Sequence, residues 1–268
     1  MIGYSCYQVA LKTDWGSNRA RNCLITLVPE KLCSLKREFM FTGIIQAIGE
    51  VADMQFTQGD LRLRVCGQKL DLDDVVLGDS IANNGVCLTV VELTGDGFWA
   101  DVSVETLNFS TLGYLKIGSL LNLEKAMTPS SRLGGHLVSG HVDGVGEVVS
   151  RTEDARSVRF TIRAPDSLAK YIAHKGSVCV DGTSLTVNAV SGAEFELNII
   201  PQTIQETIFG GYQPGSQVNL EVDVIARYLE RLLMGDKAAE PGAGKINTEL
   251  LVEDSFASSL NSGPVGSK

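Results

Sequence analysis

The chain contains itself twice, in one ungapped register. Displaced by 97 residues, Phe41–Glu124 lies over Val138–Glu221 for 84 positions with 19 identities, where unrelated segments would agree at roughly one position in twenty. GDSIANNGVCLTV (78–90) falls over KGSVCVDGTSLTV (175–187). Both copies close on one phrase, GSLLNLE (118–124) and GSQVNLE (215–221), and open alike, with GIIQAIGEV (43–51) facing GHVDGVGEV (140–148). A repeat this long is a domain and not a solenoid unit, so the sequence predicts two like folds carrying two like pockets for two like ligands.

Within each copy the apolar residues alternate or form short runs: LRLRV (61–65), SVRFTI (157–162), SLTVNAV (184–190), FELNII (195–200). Glycines punctuate them, the pattern of a small antiparallel barrel or sandwich rather than of βαβ units, so the expected class is all-β. DSLAKYIAHKG (166–176) and its partner before Gly78 read as one short helix per domain. After the second copy, residues 222–235 place Ile225, Tyr228, Leu229, Leu232 and Leu233 on one stripe at helical spacing, closed by Gly235. An amphipathic helix without a repeat partner buries its stripe in an oligomer interface or against its own barrel.

The domain boundaries follow: a non-catalytic N-terminal extension (1–39), the first domain (40–136), the second (137–221), an oligomerisation helix (222–235) and an Ala/Gly/Ser/Glu-rich tail read as mobile (236–268). Residues 1–39 make a poor secretory signal and a weak transit peptide, and Met40 is a candidate start of the functional chain. With a net charge of −9, a pI near 4.9 and no basic stripe, nucleic acid and anionic membrane are excluded as main partners. Apolar runs such as CLITLV (23–28) fall far below a membrane span. The six cysteines form no CxxC pair, and Cys87 faces Ser184 across the repeat, so no shared disulfide framework exists and a reducing compartment is expected.

Two of the three histidines fall in GGHLVSGHVDG (134–144), a glycine-rich loop that lets backbone approach a ligand. His136 and His141 are five residues apart without an HExxH glutamate, which argues against a metal. His136 reads equally as a hydrogen-bonded structural residue. His141 is polar where its twin, Ile44, is apolar. Cys87 and Ser184 share one position, each between a turn and a strand, and Thr89 and Thr186, two residues on, share their strand faces. These are ligand-facing polar pairs or satisfied core groups. A P-loop, GxGxxG and GxSxG are absent.

MFTGII (40–45), GDSIANNGVCLTV, GGHLVSGHVDG and DGTSLTV (181–187), in that order on a tandem repeat, resemble the motifs of the riboflavin synthases, from Met40 to about Gly235. The resemblance implies two six-stranded β-barrels with a C-terminal helix holding a homotrimer, and a cofactor-free dismutation of two 6,7-dimethyl-8-ribityllumazine molecules. Carried over by position, it implies a first-barrel pocket from Gly43, Ile44, Ile45, Ser80, Cys87, Leu88, Thr89 and the strand Asp101, Val102, Ser103, Val104, Glu105, Thr106. Gly140, His141 and Val142 join the binding residues at the opening of the second copy. The second pocket would use Lys175, Ser184, Leu185, Thr186 and the segment Ile199, Ile200, Pro201, Gln202, Thr203, Ile204. His141, Cys87, Ser80 and Asp223 match catalytic positions, with His141 the best acid–base by intrinsic pKa. The resemblance also implies a cytoplasmic location, with organellar targeting by residues 1–39 as the alternative, and an association with lumazine synthase. The rival is a non-catalytic lumazine or flavin carrier of the same fold. Such carriers lack the MFTG threonine and the loop histidines, whereas Thr42, His136 and His141 are present here.

Overall fold

Each strand of the first copy recurs 97 residues later with the same ends. The computed structural model describes residues 40–239. Its first barrel is built from β1 (Ala47–Thr57), β2 (Asp60–Cys66), β3 (Ser80–Asn83), β4 (Val86–Thr94), β5 (Gly97–Val102) and β6 (Leu120–Lys125), closed in the order β1-β2-β5-β4-β3-β6. The second repeats that order with β7 (Gly144–Asp154), β8 (Ser157–Arg163), β9 (Ser177–Val180), β10 (Thr183–Ser191), β11 (Glu194–Ile199) and β12 (Gln217–Val222). Even the β-bulges are duplicated, at Val51/Asp53 and Val148/Ser150 and at Val90/Glu92 and Val187/Ala189. All pairings are antiparallel, and closure leaves no unpaired sheet edge.

Alternation explains the barrels. In β2, Leu61, Leu63 and Val65 point inward and Arg62 and Arg64 do not; in β8, Val158, Phe160 and Ile162 do the same. Phe98 and Phe195, identical across the repeat, are buried in the two cores.

Two local expectations are corrected. Residues 101–106 are not one strand: β5 stops at Val102, and Ser103 caps a helix, α1 (Val104–Phe109), its hydroxyl accepting the Thr106 N–H at 3.2 Å. In the second copy Pro201 opens the equivalent helix, α2 (Pro201–Glu206). The segment 166–176 yields only a 3-10 helix, Asp166–Tyr171. Its partner before Gly78 has no helix, because the Asp71 carboxylate accepts the Asp73 N–H at 3.0 Å and closes a turn.

The barrels meet about a pseudo-twofold axis. Phe41 and Ala82 pack with Val138 and Cys179, so a large and a small residue face a medium pair. The Asn122 amide donates to the Asp181 carbonyl at 2.8 Å, and its twin Asn219 donates to the Asn84 carbonyl at 2.8 Å. Their side-chain oxygens accept the Ile208 and Thr111 N–H groups, at 2.9 and 2.7 Å. Each buried amide is thus used as donor and acceptor across the seam, which explains why asparagine is identical in both copies.

After β12, Asp223 caps α3 (Val224–Leu233) by accepting the Ile225 N–H at 2.9 Å. The polar face of α3 turns toward its own barrel: Glu230 binds Lys170 and Tyr171, and Arg227 pairs with Asp143. The apolar stripe faces away, with Tyr228 68%, Leu232 75% and Leu233 73% exposed. A 3-10 turn, Gly235–Ala239, follows α3. The extension 1–39 and the tail from 240 lie outside the described residues. Among the described residues, no helix is long and apolar enough to cross a membrane.

Candidate active site

The approach to each barrel is a short arm that bends at a glycine, residues 41–45 before the first and 138–142 before the second. The arms cross. The Cys87 N–H, at the start of β4 in the first barrel, donates to the Gly140 carbonyl of the second arm at 2.9 Å, and the Ser184 N–H of β10 donates to the Gly43 carbonyl of the first arm at 2.8 Å. Both glycines are required. Their φ angles are +75 and +79°, and an added Cβ would lie 2.5 Å from the Cβ of Ser184 or of Cys87.

The crossing changes the grouping expected from sequence. Gly43, Ile44 and Ile45 do not join Cys87: Gly43 lies on Ser184, and Ile44 sits within reach of Gly134 in the loop that carries His136. The first barrel instead receives Gly140, His141 and Val142. Together with Val86, Cys87, Glu105, Thr106, Phe109 and Ser110 they line a cavity of about 370 Å³. Ungapped alignment assigns each arm to its own copy, and nothing local in so short an arm says which barrel it will meet.

Within the first site, burial pushes the Cys87 thiol above its ordinary pKa, a hydrogen bond with Ser80 opposes this, and the charge of Glu221 adds to it. Cys87 is therefore a neutral thiol at pH 7 and not a thiolate. Ser80 is buried behind it and pairs across the ladder with Thr89, which is exposed on the Cys87 face of β4. Leu88 and Val102 point into the first core and Ile199 into the second. Asp101, Ser103 and Val104 are exposed at the approach to α1.

In the second barrel, His136 Nδ1 lies 2.7 Å from the Ser184 hydroxyl, and His136 Nε2 is buried with no protein partner. Burial lowers the His136 pKa, against an opposing pull from Asp223, so the imidazole is neutral at pH 7. Asp223 thus serves both as the α3 cap and as a charge that acts on His136. Leu185 and Ile204 pack on the second core. Thr186 is exposed on β10, and Lys175 is exposed in a left-handed turn, its N–H held by the Val187 carbonyl at 2.8 Å. Ile200 caps α2, with Pro201, Gln202 and Thr203 in its first turn.

Sequence reasoning left His136 undecided between two readings and did not single out Phe109 or Ser110. It also passed over Glu124 and Glu221, although both close the repeated phrase. Their carboxylates hold the arms: Glu124 accepts from Thr42 and Gly43, and Glu221 from Ser139 and Gly140.

The lumazine binding domain family matches residues 42–126 and again 139–223, one match per barrel. Riboflavin synthase of Photobacterium phosphoreum is 50% identical over 217 residues, covering 81% of this chain and 99% of that protein. The riboflavin synthase of Bacillus subtilis is 43% identical over 194 residues, covering 72% of this chain and 90% of its own length. The chain belongs to the riboflavin synthase family. Among solved structures, LumP in complex with 6,7-dimethyl-8-(1'-D-ribityl) lumazine superposes with a TM-score of 0.62 at 27% identity, covering 68% of this chain and 98% of that one. LumP with riboflavin gives a TM-score of 0.63 at 28% identity, with the same coverage. In this member of the riboflavin synthase family each barrel is one lumazine binding domain, and the crossed arms set Gly140 on the first barrel and Gly43 on the second.

Proposed function

We propose that the chain is a riboflavin synthase, a transferase that moves a four-carbon unit between two molecules of 6,7-dimethyl-8-ribityllumazine, giving riboflavin and 5-amino-6-(D-ribitylamino)uracil. The observation that carries this reading is the duplicated site. Cys87 with His141 in one barrel, and Ser184 with His136 in the other, put proton-transfer chemistry at both copies of a lumazine binding domain. A reaction that consumes two copies of one substrate needs two related but unequal pockets, and holding both substrates in place supplies much of the rate by orientation.

In this reading, His141 at the wall of the first cavity takes a proton from the acidic C7 methyl of one lumazine. In the second barrel, neutral His136 accepts the proton of the Ser184 hydroxyl, so that a hydroxyl nucleophile adds to the other lumazine. The neutral Cys87 thiol, backed by Ser80, donates a hydrogen bond to the first lumazine. Glu105 and Thr106 border that ligand, and Lys175 with Thr186 borders the second.

The exposed stripe of α3 holds a homotrimer in this proposal, since its polar face is already occupied by its own barrel. The protein acts in the cytoplasm and associates with lumazine synthase, which makes its substrate. The test is incubation with 6,7-dimethyl-8-ribityllumazine alone. Riboflavin and the uracil should form in equal amounts. Binding of the lumazine without turnover would overturn the enzyme reading in favour of a carrier like LumP.

A further inference from the structure

The arms that reach the two barrels are short, and each is anchored at its bend by one buried carboxylate. The Thr42 N–H and hydroxyl donate to Glu124 Oε1 at 2.7 and 2.6 Å, and the Gly43 N–H donates to Oε2 at 2.9 Å. In the second copy the Ser139 N–H and hydroxyl donate to Glu221 Oε1 at 2.6 and 2.7 Å, and the Gly140 N–H to Oε2 at 3.0 Å. Glu124 is 2% and Glu221 4% exposed. Burying a carboxylate is costly, and an apolar residue on these strands would serve barrel packing better. What the carboxylate supplies is a rigid fork whose two oxygens fix successive donors of one arm.

We propose that Glu124 and Glu221 are positioning residues for the reaction, each acting on the site of the barrel opposite its own. Glu221 stands on β12 of the second barrel, but the residue that follows its anchor Gly140 is His141, in the wall of the Cys87 cavity. Glu124 stands on β6 of the first barrel, but its anchor Gly43 offers its carbonyl to Ser184 of the second and leads into Ile44. A tilt of either fork moves the arm, and with it the group that touches the far ligand. The proposal rests on the reading that both sites take the lumazine.

Glutamine in place of either glutamate turns one acceptor into an NH₂ group facing an N–H, so the arm loses an anchor while the volume stays the same. The experiment alkylates Cys87 in the full-length protein with iodoacetamide, with and without 6,7-dimethyl-8-ribityllumazine, and reads modification by peptide mass spectrometry. Lumazine should protect Cys87 in the wild type. Protection should be lost in Glu221→Gln and kept in Glu124→Gln, although Glu124 and Cys87 share a barrel. Turnover should fall in both, by about 100-fold, the usual effect of a displacement of about 1 Å at reacting groups. Ser139→Ala and Thr42→Ala, which remove one donor each and keep both amide anchors, should give the same pattern more weakly. As a second readout, kcat/KM losses of Glu124→Gln and Ser184→Ala should be non-additive, and those of Glu221→Gln and Ser184→Ala additive. Equal loss of Cys87 protection in both glutamine variants, or additivity in the first pair, would overturn the clamp. No protection in the wild type would overturn the lumazine reading and the clamp with it.

Discussion

The Phe41 N–H donates to the Val138 carbonyl at 2.7 Å, and the Val138 N–H donates back to the Phe41 carbonyl at 3.1 Å. The two residues occupy one position in the two copies, so this antiparallel bridge lies on the pseudo-twofold axis. Two arms that pair there run on in opposite directions, and each arrives at the other copy's barrel. The bridge acts together with the Cys87–Gly140 and Ser184–Gly43 hydrogen bonds, which seat each arm on the other copy's barrel. A sheet that tied each arm to its own barrel would make two self-contained domains instead.

The crossing makes Gly140→Ala a sharp test. The added methyl would lie 2.5 Å from the Cys87 Cβ at a residue whose φ is +79°, so both strain and overlap push the arm out of the first cavity. We expect a stability loss of about 1–3 kcal/mol and a fall in kcat of about 100-fold or more. Thermal melting and steady-state kinetics would check it, and near-normal kcat would mean that His141 does not depend on the contact.

Much of this arrangement is legible in the sequence, and the remainder is hidden for identifiable reasons. Alternation in LRLRV and SVRFTI marks barrel strands because period two has one inward face. The helix at 104–109 is hidden because Val104 and Thr106 favour strand and only the capping Ser103 says otherwise. Glu124 and Glu221 stand in plain view at the end of a repeated phrase, yet their partners lie 82 residues upstream. His136 reads as an ordinary loop histidine until the fold brings it against Ser184, 48 residues away.

Asp181 replaces Asn84 of the first copy at the barrel seam and gives a pH prediction. It accepts the Asn219 N–H at 2.9 Å and the Tyr212 hydroxyl, but burial raises its pKa from 3.8 to about 7. The folded state thus holds a proton that the unfolded chain gives up above pH 3.8. Stability falls as pH rises from there to about 7 and levels off above it, by at most about 1.4 kcal/mol per unit. Asp181→Asn removes this dependence. Relative to wild type it should gain stability between pH 5 and 8 in urea unfolding; parallel curves would show that Asp181 is ionised in the fold throughout.

Assembly is tested at Leu229, 55% exposed on the outer stripe of α3. Leu229→Asp would bury a charge in any contact made by that stripe, at a cost of several kcal/mol. The variant should sediment as a monomer with an unchanged barrel fold by circular dichroism. A persistent oligomer would move the interface elsewhere.

His136→Gln keeps a hydrogen-bonding group beside Ser184 but cannot take its proton. We expect kcat to fall by about 10²- to 10⁴-fold with a smaller change in KM. Because burial lowers the imidazole pKa in the fold, the acid limb of kcat in the wild type should lie below the usual 6.5, and the variant should lose that limb. A variant that retains both limb and rate would reduce His136 to a structural partner of Ser184.

Cys87 and His141 separate binding from chemistry in the first cavity. Cys87→Ser makes that site resemble its twin at Ser184 and opens no hole, so lumazine binding should survive. Turnover should still fall, because a bulky thiol whose pKa is raised by burial gives way to a smaller hydroxyl whose hydrogen bond with Ser80 has a different length. His141→Gln leaves a donor and an acceptor in the cavity wall but removes the imidazole that takes the proton in the proposed reaction. It should depress kcat more than KM, by about 10- to 1000-fold. Steady-state kinetics of both variants over pH 5–9 would check this. If His141→Gln keeps near-normal kcat across that range, the proton of the C7 methyl leaves by another route, through bound water or the ribityl hydroxyls, and His141 serves only to wall the cavity.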